Sequence, residues 1–224
     1  MKLTNLLRYG SLAASAGGAL FIVVDLIALL LLDFDKRLSE VVTSLGWRLQ
    51  SPISLVAGTL VLLGLICLYA RRSEETGTFG LIAFLVAFFG LVLAQGVVWD
   101  TVFTAPSIAI AAPELLESRP PGLYMFGAAL SLALPNLGLL LFGVAVLRDG
   151  FYPRPAAALL IVGAMLTGLT GALMSGWPNS SLLKVGVGSD IILEAGLIWL
   201  GLSLVGRAGV PTLYHRRGSQ KPSD

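Results

Sequence analysis

Six apolar runs, at about 11–32, 53–70, 79–103, 123–147, 156–174 and 188–206, take up most of this chain. A helix needs about 20 mainly apolar residues to cross the hydrocarbon core of a bilayer, and each run is close to that length or longer. No feature constrains the fold more. Inside hydrocarbon there is no water to bond a backbone N–H or C=O, so each run must satisfy its own backbone as a helix. The expected fold is therefore all-α: a polytopic bundle of six transmembrane helices.

Composition agrees. Hydrophobic residues make up 56% of the chain and charged residues 12%, with a mean hydropathy of +0.86. Soluble domains carry about twice that share of charge. No stretch is long and polar enough for a separate soluble domain, so residues 1–206 read as one membrane domain and 207–224 as a basic cytoplasmic tail. The N-terminus has the charged start of a signal peptide, but its apolar region is too long for one and is interrupted by Asp25. It is expected to be a retained first span. Cys67, the only cysteine, lies in an apolar run and reads as a small hydrophobe. The net charge of +2 leaves no nucleic-acid footprint.

The basic residues orient the spans. Lys2, Arg8, Arg71, Arg72, Arg148, Arg154, Arg207, Arg216, Arg217 and Lys221 fall on one side, and Lys36, Arg37, Arg48, Arg119 and Lys184 on the other. Ten against five puts both termini in the cytoplasm. In the first outer link, Leu38, Val41, Val42, Leu45 and Leu49 recur at helical spacing, which predicts a short interfacial helix with Trp47 near the headgroups, or else an outward extension of the second span. The second outer link, "TAPSIAIAAPELLESRPPG", is bounded by prolines and suits a short helix over the outer mouth. "SGWPNSS" reads as a turn with an interfacial Trp177.

The polar residues inside the spans carry the functional reading. Asp25, Gln95 and Glu194 each lie roughly 10–13 Å below the outer boundary at the rise of a helix. Asp190 sits one turn above Glu194 on the same helix face, and Asp100 lies near the outer end of the third span. No Lys or Arg lies within any span to neutralise these acids. Charged groups in hydrocarbon cost several kcal/mol, so they face the bundle interior or water. The acids are then protonated, solvated by an outward-open cavity, or holding a cation.

A plainer account exists for each. Asp190 and Asp100 fit helix ends in water or headgroups, and "GSD" fits a helix N-terminus. Gln95 fits interhelical glue. Pro135 and Asn136, near mid-membrane in the fourth span, fit either a locally satisfied kink or a broken helix beside a binding site. The glycines of "GLTGALMSG" explain close packing and imply no chemistry.

Familiar catalytic signatures are missing. The one histidine, His215, is in the tail, and there is no zinc-protease motif, glycine-rich phosphate loop, nucleophile elbow or mid-span lysine. No cofactor and no particular metal can be named from these residues. Three functions stay open. The first is a non-enzymatic membrane protein, a transporter in its fullest form, with an outward-facing acidic pocket for a cation or small polar ligand. Its contributors would be Asp25, Gln95, Asp100, Asn136, Asp190 and Glu194. The second is an accessory or scaffold protein, homo-oligomers included, whose acids only bond helices together. The third is a lipid-directed enzyme using carboxylates and a divalent metal.

The stretches "LLRYGSLAASAGGALFIVVDL" and "LGLLLFGVAVLRDGFYPRPAAALLIVGA" resemble a broad group of small bacterial integral membrane proteins of about six helices. The resemblance implies a bacterial inner-membrane location. It supplies no activity and no catalytic residues.

Overall fold

The computed structural model describes residues 3–33, 35–71, 73–118, 121–174 and 180–207. Trp177, the tail beyond Arg207 with His215, and the basic residues Lys2, Arg72 and Arg119 lie outside the described residues. The described chain is all-helical: α1 (Leu3–Leu31), α2 (Leu38–Thr43), α3 (Leu45–Ala70), α4 (Ser73–Trp99), a π-helical turn (Asp100–Thr104), α5 (Ala105–Ala111), α6 (Pro113–Glu117), α7 (Gly122–Asp149), α8 (Arg154–Met174) and α9 (Ser180–Arg207). Six segments are long and apolar enough to cross a membrane: Tyr9–Leu31, Leu45–Ala70, Glu75–Ala111, Gly122–Asp149, Arg154–Leu173 and Lys184–Val205.

Three boundaries differ from the expected ones. The sixth span starts at Lys184, in a helix that runs from Ser180, so "GSD" at 188–190 lies inside α9 and does not form its N-terminus. The second span begins near residue 45 rather than 53, because Ser44 caps it by accepting from the Trp47 N–H at 3.3 Å and the helix runs on through Pro52. The first outer link thus forms both a short helix, α2, and an extension of the next span. The third span continues beyond Phe103 through the π-helical turn into α5. Its start does match: Gly77, at φ 60° and ψ −163°, breaks the helix just before Phe79 in a conformation open to glycine.

The six long helices form a ring in chain order. Each packs on the next, and α9 closes the ring against α1. Close seams of small residues make these contacts. Gly64 of α3 faces the backbone of Ala14, Gly138 of α7 faces Ala87, and Gly163 of α8 faces Leu193. In lipid there is little hydrophobic drive between helices, so association relies on such close packing and on interhelical hydrogen bonds.

The buried apolar cluster is lopsided. Leu65, Leu68, Ala87, Phe142, Val146, Leu160, Leu200 and Leu204 gather in the half of the ring nearest Arg71 and Arg148. At that end Tyr152 donates its hydroxyl to the Leu68 carbonyl at 2.9 Å, and Arg148 lies over the Phe79 ring at 4.8 Å. Asp25, Gln95, Asn136, Asp190 and Glu194 lie at mid-ring or in the other half. That far end carries α2, α5 and α6, where the Ser39 N–H and hydroxyl donate to Glu117 Oε1 at 3.2 and 2.9 Å. These bonds hold the Glu117 carboxyl below the usual carboxylate range.

Two predictions follow from the packing. Gly64→Val should cost about 1–3 kcal/mol, since its side chain meets the Ala14 backbone. Gly96→Ala, where nothing lies within 4 Å, should change detergent-phase unfolding little. Equal behaviour of the two variants would mean that the seams do not hold the ring. At the far end, a carboxylate favoured by folding stabilises the fold above its unfolded-state value, and that contribution is lost as pH falls through its folded-state value. Acidification through that range, or Glu117→Ala, should therefore speed hydrogen exchange in α2 and leave α8 unaffected. Unchanged α2 exchange would count against the contact.

Candidate functional site

The site lies on the seam between the first and last helices. Ser15 donates its hydroxyl to the Ile198 carbonyl at 2.9 Å, and Gly18 sits against the Glu194 carbonyl and Ile198. Gly201 packs on Ser11 and Ser15. The pairing is antiparallel, so residue numbers rise along α1 as they fall along α9. Two helical turns beyond Gly18, Asp25 reaches the level of Asp190, with Glu194 a turn nearer mid-membrane. The three acids are near enough for their charges to act on one another: Asp190 on Asp25, and both of these on Glu194.

The three differ in how their oxygens are satisfied. Asp190 Oδ1 accepts from the Thr167 hydroxyl of α8 at 2.7 Å. Asp25 Oδ2 and Glu194 Oε2 are buried and find no hydrogen-bond partner among the described residues. Glu194 is only 5% exposed. Among the described residues one other buried side-chain atom shares this condition, the neutral Thr76 hydroxyl at the start of α4. An unsatisfied hydroxyl costs far less than an unsatisfied carboxylate.

The other candidates fall elsewhere or play local parts. Gln95 donates from Nε2 to the Leu55 carbonyl at 3.0 Å and to Thr59 Oγ1 at 3.1 Å, filling the space beside Gly58. It joins α4 to α3. Asn136 is buried and donates to the Leu132 carbonyl of its own helix at 2.8 Å. Its side chain also stands against Gly168, next to Thr167, so it backs the turn of α8 that serves Asp190.

Asp100 opens the π-helical turn and lies in a cavity of about 330 Å³ between α4 and α7, with Tyr124, Gly96, Gly127 and Ser131. The Tyr124 hydroxyl approaches Asp100 Oδ2 at 3.4 Å, long for an O–H donor. Trp47 donates its indole N–H to the Thr101 carbonyl at 2.9 Å, satisfying an acceptor in the π-helical turn. Equal depth in the membrane thus does not bring Gln95 to Asp25 and Glu194.

Thr167 does not stand out in the sequence as a site residue. Its signal was modest, one of two threonines (with Thr170) in an otherwise apolar fifth run, and nothing local shows which acid it meets. Among the described residues, no group of three or more His, Cys, Asp or Glu side chains is arranged to hold a metal ion. The arrangement offers instead two buried acceptor oxygens on two helices and a third acid steadied by a hydroxyl.

Thr167→Val should strip Asp190 of this hydrogen bond and lower stability by about 1–3 kcal/mol, the cost of an unsatisfied buried polar group. Thr167→Ser should recover most of that loss. Denaturant unfolding in detergent measures both, and a Val variant as stable as the parent would show that the bond contributes nothing.

Compared with known protein families, curated proteins and solved structures, the chain matches none.

Proposed function

We propose that this is a non-enzymatic protein of the bacterial plasma membrane that binds a cation or small cationic ligand at Asp25, Asp190 and Glu194, as a transporter would. One observation carries the reading. Glu194 is buried on the ring seam with Oε2 unpartnered among the described residues, within reach of two further acids, and the Lys and Arg of the spans (Arg48, Arg148, Arg154, Lys184) all lie near span ends. Carboxylates in hydrocarbon are rare and mark binding pathways more often than lipid contacts. With Arg71 and Arg148 on the cytoplasmic side, as the excess of basic residues there assigns them, the acids lie in the outer half and take their ligand from outside. Asn136 then supports the pocket through α8. Gln95 and Asp100 stand apart from it.

A second reading has its own observations. The Thr167–Asp190 and Gln95–Leu55 bonds each tie one span to another, as in an accessory or scaffold protein whose polar groups only join helices. The metal-dependent enzyme receives no support from the arrangement of the acids.

Thermal unfolding of the detergent-purified protein, scanned against monovalent and divalent cations and small amines, separates the first two readings. Binding to the folded state alone raises the melting temperature with ligand concentration. A pocket predicts stabilisation by a particular cation class that Glu194→Gln or Asp25→Asn abolishes. A scaffold predicts no response from either protein, together with a loss of stability in Asp25→Leu and Glu194→Leu.

A further inference from the structure

We infer that a proton and a primary ammonium ion compete for Asp25 Oδ2 and Glu194 Oε2, so that ammonium binding at the acidic seam expels a proton. The inference rests on the pocket reading above and adds the ligand's class and its exchange with protons. It stands on three observations of geometry. The two oxygens are buried and unpartnered among the described residues. They come from different helices, α1 and α9, that are packed closely enough for Gly18 to touch the Glu194 carbonyl. The third acid, Asp190, already accepts from Thr167.

Charge balance supplies the exchange. Like charges at close range in a poorly polar medium repel strongly. The surrounding elements offer nothing to offset them. On α1 the nearby ionisable group is Asp25 itself. Along α3 they are Arg48, exposed near the far end, and Cys67 and Tyr69 toward the arginine end. Arg154 stands at the start of α8, at the arginine end, and Lys184 of α9 is exposed. The charges that act on Asp25 and Glu194 are those of the other acids. Without a cation the pair is neutralised by protons. When a cation enters, a carboxylic O–H ionises, its proton leaves to water, and the carboxylate keeps the cation.

The donor set selects the cation. Two lone acceptors on opposite helices suit a ligand with several N–H donors, and a primary ammonium presents three. A quaternary ammonium has none. A bare metal ion wants more oxygens than the seam converges.

The test is thermal stabilisation of the detergent-purified wild type by ethylammonium, with tetramethylammonium and sodium as comparison probes, repeated at pH 6, 7 and 8. These pH values leave ethylammonium fully protonated. Expected are stabilisation by ethylammonium alone and an apparent affinity that falls about tenfold per pH unit of acidification if one proton is exchanged. A pH-sensitive dye in weakly buffered solution should report the released proton, and Glu194→Gln should abolish that signal.

Stabilisation by ethylammonium at constant affinity, with no dye response, overturns the exchange and leaves the pocket standing. Equal stabilisation by tetramethylammonium or sodium overturns the ligand class. No response to any probe at any pH overturns the inference; the pocket falls with it only if the divalent cations of the wider scan are silent too. Because the pH series uses the wild type, the result does not depend on whether the variant folds.

Discussion

Everything distinctive in this protein depends on the close contact between its first and last long helices. Ser11, Ser15 and Gly18 on α1 meet Ile198 and Gly201 on α9 with little side chain between the backbones. This seam joins the most distant parts of the chain and closes the ring. It also decides the fate of the acids. Asp25, Asp190 and Glu194 continue the same two faces, so the approach that closes the ring also draws the carboxylates together and buries Glu194. A bulkier seam would let water or lipid reach them.

The two halves of the ring then divide into different kinds of interior. Toward the arginine turns, leucines, alanines, Phe142 and Val146 fill the space, and Tyr152 ties the α7–α8 turn to α3. Such packing resists rearrangement, because interiors at crystal-like density have few alternative arrangements. Toward the far end, contacts are polar and more local, and the start of α7 is poorly covered, with Leu123 84% exposed.

The contrast among the polar groups is more telling than their number. Gln95, Asn136, Trp47 and Thr167 each donate to a carbonyl, hydroxyl or carboxylate oxygen. Groups that serve only to join helices are expected to be satisfied in this way, since an unpaired polar atom in hydrocarbon is costly. Among the described residues Asp25, Glu194 and the neutral Thr76 break that rule, and of these only the two acids belong to the α1–α9 seam. Two neighbouring exceptions sharing one charge sign favour a ligand or proton as the missing partner.

The helical class, the existence of six spans, though two of their ends differ by eight residues, and the acids within span interiors that hold no base were legible in the amino-acid order alone. These are local properties: a backbone in hydrocarbon has to bond itself, and an apolar run declares its length directly. Which polar residues meet became visible with the packing of the helices. Asp25, Gln95 and Glu194 share a depth, yet Asp25 turns toward α9 while Gln95 bonds α3. Asp100 belongs to the cavity between α4 and α7, and Thr167 proves to be the partner of Asp190. Depth follows from counting residues along a helix. The direction a residue faces does not, because these helices are apolar on nearly every side and lipid sets no preferred face. Direction is chosen by which small-residue seams fit one another most closely, and that is a property of two helices together.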